Sequence, residues 1–411
     1  MKSNKTQYIT CPFCSLHCDD IKIRSDGKSI NVISEPIKNC TNKIEYFNLN
    51  KRSILQAKAK NKYLDIHKSI QTAKSMLDKS NDITVVNHGT DVDGVRSILS
   101  FSASYNAVVD HVNSSHLYRN LGIMQRKGYM ATSLTETKNR SDLVILFGKN
   151  ILSKSPRIID KVIFPKYSLC SSTKKRTLVL IGKFDLKTIR TLKKSHRVEN
   201  LDIELDRIPE LLGELESGIK KTSMLFKLKN LIKNSKYLVC SWTSSDFDAT
   251  SNPDYIISSI SDFVLKRNEV TRAACMPIAG SLGDTTSSQT MTWITGFPAR
   301  VKFNGQKFMH DRNICNSKSI IDNKSTDLVV HISTINPDKL QINKNLKNIV
   351  IGHPNSTFTY QPDIFIPVGI PGIDHRGIMF RTDHVVSMAL DKVRDVGLLS
   401  VKEILNNLVR E

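Results

Sequence analysis

The sequence predicts an α/β protein of doubly wound, mostly parallel sheets, preceded by a small cysteine-bearing segment at the N-terminus. Short apolar runs recur along the chain with helical patterns between them, the alternation that parallel sheets with crossover helices require. The clearest run, Asp142-Leu143-Val144-Ile145-Leu146-Phe147-Gly148, is continuously apolar rather than alternating, as suits a strand buried on both faces. Four of the eight cysteines crowd into the opening stretch, where apolar residues are too few to build a core alone.

Residues 1–52 are polar, with strand-like pieces at 21–24 and 30–33, and such a unit needs a metal or a docking surface to hold it. Leu64, Ile66, Ile70, Ala73, Met76 and Leu77 recur at helical spacing over 64–78. A buried strand follows at 82–87, a helix at 91–104 and a strand at 106–109 ending on Asp110. Beyond an irregular stretch and the 142–148 strand, further strands are expected at 177–182, 237–242, 269–273, 327–332, 348–352 and 363–367. Helices fit 185–195, 207–217 and 253–266, and an amphipathic helix closes the chain over 401–410. This many strands asks for two Rossmann-like domains: 53–150 opens the first, 151–325 forms the second, and 326–411 returns to the first. There is no internal repeat and no low-complexity tract.

Composition narrows the function classes. Apolar residues make up 39% of the 411, ample for globular packing. No run of eighteen apolar residues occurs, so no membrane span is expected. Met1-Lys2-Ser3-Asn4-Lys5 leads into no apolar segment, which points to a cytoplasmic protein without a secretory signal. A disulfide framework is not expected there. Cys170, Cys240, Cys275 and Cys315 are scattered and read as small packed thiols. The formal charge of +21 raises the question of a polyanionic partner. The basic runs, such as Lys174-Lys175-Arg176 and Lys193-Lys194, are short and lack the interleaved aromatics of a nucleic-acid module. Solvated faces and a subunit interface fit the charge better than nucleic acid.

Cys11-Pro12-Phe13-Cys14-Ser15-Leu16-His17-Cys18, with Cys40 following, is the strongest local motif. Three thiols on one tight loop with a distant fourth suit a [4Fe–4S] cluster. A zinc ribbon more often pairs two C-x2-C units, and the second is missing. Zinc, or a motif holding no metal, remains the alternative. Ala279-Gly280-Ser281-Leu282-Gly283, followed by Asp284-Thr285-Thr286-Ser287-Ser288, offers backbone N–H groups for phosphates, with Gly280 and Gly283 as candidate contacts. Gly369-Ile370-Pro371-Gly372-Ile373-Asp374 must turn sharply after the 363–367 strand, at the ligand-binding edge of the sheet. Asp374, His375, Arg381 and Asp383 then either line a cleft or rigidify it through salt bridges. No HExxH or Gly-x-Ser-x-Gly motif occurs, and no catalytic residue is assigned.

The cysteine motif with Asp19-Asp20-Ile21 resembles the opening of the family of B-type subunits of formylmethanofuran dehydrogenase. The resemblance continues at Gly148-Lys149-Asn150 with Ser155-Pro156-Arg157, at Thr271-Arg272-Ala273-Ala274 and at Thr292-Trp293-Ile294-Thr295-Gly296-Phe297-Pro298. It is strongest at Ile366-Pro367-Val368-Gly369-Ile370-Pro371-Gly372-Ile373-Asp374-His375 and Phe380-Arg381-Thr382-Asp383. It implies a formate-dehydrogenase/DMSO-reductase-like fold of the molybdopterin-oxidoreductase class. In that class Gly280, Gly283, Asp374 and Arg381 would contact a pterin dinucleotide, and Cys11, Cys14, Cys18 and Cys40 would ligate the cluster.

One departure redirects the reading. Redox members of the family supply a cysteine or selenocysteine thiolate to molybdenum or tungsten just after the second core strand. Here that stretch is Asp110-His111-Val112-Asn113-Ser114-Ser115-His116-Leu117-Tyr118, without a cysteine. Imidazole at His111 or His116 is a different ligand from the soft thiolate such a metal takes. The resemblance therefore points to the non-redox branch, the bacterial formyltransferase/hydrolase complex, with the chain as a scaffold beside catalytic partner subunits. It also implies a methanofuran-like coenzyme within the complex, whose carboxylate-bearing tail the +21 charge would attract. A redox subunit with a molybdopterin-type cofactor, or a basic nucleic-acid-binding Fe–S protein, are the competing readings.

Overall fold

The computed structural model describes residues 5–34, 40–50, 53–60, 62–217, 223–305 and 307–410. The chain divides into two compact units, Met1–Ser114 with Ser281–Glu411, and Ser115–Gly280. The boundaries expected at 150 and 325 thus lie at 114/115 and 280/281. Pairing explains the shift: Leu143–Phe147 pairs with Thr177–Ile181 and Tyr237–Thr243, whereas Val301–Asn304 pairs with Val108–His111.

The first unit is built on a nine-stranded sheet. Its five central strands are parallel, in the order Val108–His111, Ile83–Gly89, Leu328–Ser333, Lys347–Gly352 and Ile364–Pro367. Numbered along the chain that order is 2-1-3-4-5, one of the two common doubly wound arrangements. Antiparallel strands complete both edges, Val301–Asn304 with Lys307–His310 on one side and Ala57–Ala59 with Lys62–Leu64 on the other. Helices Ile66–Asp78, Val92–Ser104, Asp284–Thr295 and Val401–Leu408 share one core with the sheet through Ala73, Leu77, Ile98, Phe101, Met291 and Leu405. Their starts are written in the sequence. Asp65 and Asp91 accept helix N–H groups, and Ser400 with Glu403 forms a reciprocal capping box.

A three-stranded antiparallel sheet, Lys5–Ile9, Ile21–Ser25 and Ile30–Val32, carries the cysteine loop. Ser25 Oγ donates to the Val393 carbonyl at 2.6 Å, and the side chain of Asn48 brackets the backbone of Ile30 at 2.9 and 2.7 Å.

The second unit has a five-stranded parallel sheet in the order Arg197–Leu201, Thr177–Ile181, Leu143–Phe147, Tyr237–Thr243 and Arg272–Ile278. Along the chain this is 3-2-1-4-5, the other common doubly wound order. Leu143–Phe147 is buried throughout, as its continuous apolar run predicts. Helices Ile208–Ser217, Ser223–Asn234 and Pro253–Arg267 supply Leu211, Leu228, Ile257 and Phe263 to its core.

Several elements differ from expectation. The strand expected at 269–273 runs Arg272–Ile278, because the helix before it closes in turns through Thr271. The irregular stretch after Asp110 contains the helices Ser114–Lys127 and Leu134–Arg140. The glycine- and hydroxyl-rich segment is a loop only as far as Gly283 and is helical from Asp284 to Thr295. There Ser288, Thr292 and Thr295 hydroxyls turn back onto the carbonyls of Thr285, Ser288 and Met291. Among the described residues no helix is long and apolar enough to cross a membrane.

Candidate functional site

The cysteine loop closes on itself. Cys11 N–H donates to the Cys18 carbonyl at 2.8 Å and His17 N–H to the Cys14 carbonyl at 3.0 Å. Phe13 anchors the loop, packing edge-on against Phe47 and Tyr46 at 4.9 and 5.6 Å between ring centroids. Cys14 and Cys18 are buried, Cys11 and Cys40 half-buried, and none is in a disulfide. Burial pushes the Cys11 thiol well up, and Cys14, Cys18 and Cys40 each push it further, so the four thiols share one neighbourhood. Among the described residues no three His, Cys, Asp or Glu side chains converge closely enough to hold a single metal ion. His17 is held inside the loop. Its buried ring lies against the carbonyls of Cys11 and Phe380, and burial lowers its pKa to about 4. Thr382 N–H donates to the Ser15 carbonyl at 2.9 Å, which ties the loop to the segment carrying Arg381.

The carboxyl edge of the first sheet gathers a second set of polar groups. In this strand order the crevice for a ligand opens between Ile83–Gly89 and Leu328–Ser333. His111 ends one strand and His353 follows another. Each Nδ1 accepts a backbone N–H, from Asn113 and Asn355 respectively, both at 3.0 Å. The proton is thereby assigned to Nε2, and both Nε2 groups are buried without a partner, as is Ser356 Oγ. Burial lowers the pKa of His111 to about 4 and of His353 to about 3, so both rings are neutral donors near pH 7. Asp91 lies at the same edge. Burial raises its pKa, the charge of His375 opposes the rise, and Asp91 Oδ1 accepts from Gly94 N–H at 3.1 Å.

The residues expected to contact a dinucleotide divide between the two units. Gly280 is the last residue of the second unit, whereas Gly283, Asp374 and Arg381 belong to the first. Gly283 has φ +78° and its Cα region abuts Gly89: a Cβ there would lie 2.8 Å from Gly89 Cα. Its role is close backbone packing at the strand end. The helix that follows is stitched to the same edge, with Asn87 Nδ2 donating to Ser287 Oγ at 3.2 Å and Asn113 Nδ2 to Asp284 Oδ2 at 2.9 Å. Asp374 is taken by buried Arg394, and Arg381 by Asp383 at 2.9 and 2.6 Å, the salt bridging that the sequence offers as the alternative. His116, weighed beside His111 as a metal ligand, instead bonds both carboxylate oxygens of Asp248 at 2.9 and 2.8 Å.

The second unit carries a feature the sequence did not reveal. Asp246 lies at the carboxyl end of its sheet, accepts Asn150 N–H at 3.0 Å and is held by Thr243 Oγ1 at 2.5 Å. Gly148 permits the approach, since any Cβ there would overlap the Asp246 carboxyl group. The backbone N–H groups that serve phosphate in a dinucleotide fold are thus capped by the protein's own carboxylate.

These features define a protein of two doubly wound α/β units with a four-cysteine N-terminal layer. Along its full length the chain is a distant homologue of the B-type subunits of formylmethanofuran dehydrogenase. It is 23% identical to the B-type subunit of the tungsten-containing formylmethanofuran dehydrogenase 2 of Methanocaldococcus jannaschii, over 98% of this chain and 97% of the relative. The Methanococcus maripaludis protein of the same name is 22% identical, with 98% of each chain covered. A chain in the crystal structure of the formyltransferase/hydrolase complex of Methylorubrum extorquens, solved with methylofuran, has the same fold. It superposes with a TM-score of 0.71 and 18% identity over 86% of this chain and 97% of that one. No family model matches.

Proposed function

We propose that the chain is the B-type subunit of a cytoplasmic formyltransferase/hydrolase complex in one-carbon metabolism, acting as a scaffold for catalytic partners that handle a methanofuran-like coenzyme. The observation that carries this reading is the end of the second core strand. Where a redox member supplies a thiolate, this chain presents His111, a buried neutral imidazole whose Nδ1 is already engaged by Asn113. The full-length homology and the fold shared with a chain of the Methylorubrum complex support the same assignment. The broader fold class is accordingly proposed to be formate-dehydrogenase/DMSO-reductase-like, with the cysteine layer as a small added domain.

The residues present do not fit a pterin dinucleotide. Asp246 caps the backbone where a pyrophosphate would sit, Gly283 is closed by Gly89, and Asp374 and Arg381 are bound to other side chains. They do fit a [4Fe–4S] cluster held by Cys11, Cys14, Cys18 and Cys40. The thiols lie within one another's field without converging on a single-ion site, and a four-iron cluster spreads its ligand sulfurs more widely than one zinc does. Bound there, a cluster would join the loop to Cys40 and stabilise the N-terminal layer.

The names of the two archaeal relatives favour a second reading, a redox subunit carrying tungsten. Purification of the native complex with elemental analysis separates the two. The scaffold reading expects co-purifying subunits, formate release from a formylated coenzyme, and molybdenum and tungsten near zero per chain. A ratio near one metal per chain would overturn it.

A further inference from the structure

We infer that the second unit binds a nucleoside polyphosphate in a groove at the amino ends of its parallel strands, the edge opposite to the one where dinucleotides bind in this fold. Across the sheet the strand starts follow one another as Arg197, Thr177, Leu143, Tyr237 and Arg272. Neighbouring starts lie about 4.8 Å apart. Arg197 and Arg272 open the two outer strands, while Lys175 and Lys236 stand just before Thr177 and Tyr237. The central strand is preceded by Asp142 instead, whose carboxylate accepts the backbone N–H groups of Lys236 and Tyr237 at 2.7 and 3.0 Å. Arg140 ends the helix Leu134–Arg140 at the same edge. Among the described residues Arg140, Lys175, Arg197 and Lys236 enter no ion pair.

The groove has two unlike ends. Its larger cavity, of about 790 Å³, is walled on one side by Phe226, Asn230 and Asn234. These recur at four-residue steps and so form one stripe of the helix Ser223–Asn234. The stripe runs about 12 Å along the helix axis. A second cavity, of about 730 Å³, adjoins the first, and Arg140, Cys170 and Lys236 stand in the walls of both. Those three therefore mark the end where the cavities meet, whereas Phe226 belongs to the larger cavity alone. An aromatic ring, 45% exposed, occupies one end, and cations gather toward the other.

That division selects the ligand. Cations are favoured near helix carboxyl ends, which accounts for Arg140, Arg197 and Lys236 as single charges. It accounts neither for Lys175 nor for an exposed aromatic ring and two amides in the same groove. A base stacked on Phe226 uses the face of the ring, and Asn230 offers a donor and an acceptor to the base edge or the sugar. The phosphates then reach Arg140, Lys175 and Lys236, where a guanidinium takes phosphate oxygens in pairs and the ammonium groups act as point charges. A polyanion without a flat ring would leave the Phe226 end unused. Single-stranded nucleic acid needs successive aromatic platforms, and the larger cavity offers only Phe226. The site lies wholly within the second unit, so it is independent of the assembly reading.

The test titrates the full chain with ATP and with inorganic tripolyphosphate by calorimetry. Saturable binding is expected, at least tenfold tighter for ATP. Phe226→Ala should remove that advantage and leave tripolyphosphate binding within twofold. The double variant Lys175→Glu, Lys236→Glu should weaken both ligands at least tenfold. The control Lys187→Glu, Lys193→Glu changes the net charge equally on an exposed helix and should stay within twofold. Cys170 is the one exposed cysteine and stands in the groove wall, so it reports on the unsubstituted protein. Saturating ATP should slow its alkylation by a neutral maleimide at least threefold. Tripolyphosphate binding as tightly as ATP, equal weakening in both charge variants, an unprotected Cys170, or tighter binding of a single-stranded oligonucleotide than of ATP would each overturn the proposal.

Discussion

Arg394 and Asp374 form a buried, two-pronged ion pair, with Nε–Oδ1 at 2.7 Å and the second guanidinium nitrogen on Oδ2 at 2.9 Å. The side chains are 1% and 2% exposed. Asp374 also accepts Ile370 N–H at 2.9 Å, and Arg394 donates to the Phe47 carbonyl at 3.0 Å. One pair therefore joins the turn after Ile364–Pro367 to the short helical turn ending at Phe47.

Removing one partner leaves the other charge buried and uncompensated, which costs about 3–5 kcal/mol. Asp374→Asn is expected to lower the unfolding free energy by that order in urea titration. The double variant Asp374→Asn, Arg394→Met should recover part of the loss. A single-variant loss below about 1 kcal/mol would show that the pair is not structural.

Stability should fall on acidification below neutrality. His111, His331 and His353 have pKa values lowered by burial to about 4, about 4 and about 3, against about 6.5 when unfolded. Between these values the unfolded chain binds more protons than the folded one. The stability these neutral rings contribute is present above about pH 6.5 and is lost as pH falls toward their folded values. Each ring accounts for about 2 kcal/mol between pH 7 and pH 5. His353→Gln should shrink the pH 7 to pH 5 difference by about that amount, whereas equal stability of the wild type at both pH values would contradict the assignment.

What could be read from the sequence follows from how local each signal is. Leu143–Phe147 announces itself because burial on both faces demands an unbroken apolar run. Asp284–Thr295 does not, because its hydroxyl residues are poor helix formers and the helix is held by tertiary bonds from Asn87, Asn113 and Phe380 N–H. Arg176 reads as one more surface cation in a basic run. It is fully buried, donating to the carbonyls of Ser141, Val162, Ile163 and Lys138 and to Ser171 Oγ. Asp246 carries no motif at all, since its role depends on which loop folds beside it.

The cysteine layer gives a prediction that separates stability from turnover. Anaerobically purified protein is expected to contain about four iron and four sulfide per chain, as a [4Fe–4S] cluster requires. Cys14→Ser should lose the iron and lower the melting temperature of the subunit. Formate release per assembled complex should hold steady, because the proposed role is to join Cys40 to the loop. Stoichiometric zinc, or an unchanged melting temperature after the iron is lost, would count against the cluster.

Gly283 and Gly296 allow the close-packing role to be isolated. Both have φ +78°, so alanine meets the same left-handed strain at each end of the Asp284–Thr295 helix. At Gly296 a Cβ would have nothing within 4 Å, whereas at Gly283 it would lie 2.8 Å from Gly89 Cα and 3.4 Å from Thr90 N. Gly296→Ala should therefore cost about 1 kcal/mol, the ordinary penalty of alanine in this conformation. Gly283→Ala should cost about 1–3 kcal/mol more, because neither contacting group is a side chain that can turn aside. The pair of urea titrations also tests the phosphate-cradle reading of this stretch, which assigns Gly283 to a ligand. On that reading the two alanines destabilise the protein equally, and on the packing reading Gly283→Ala is clearly the worse.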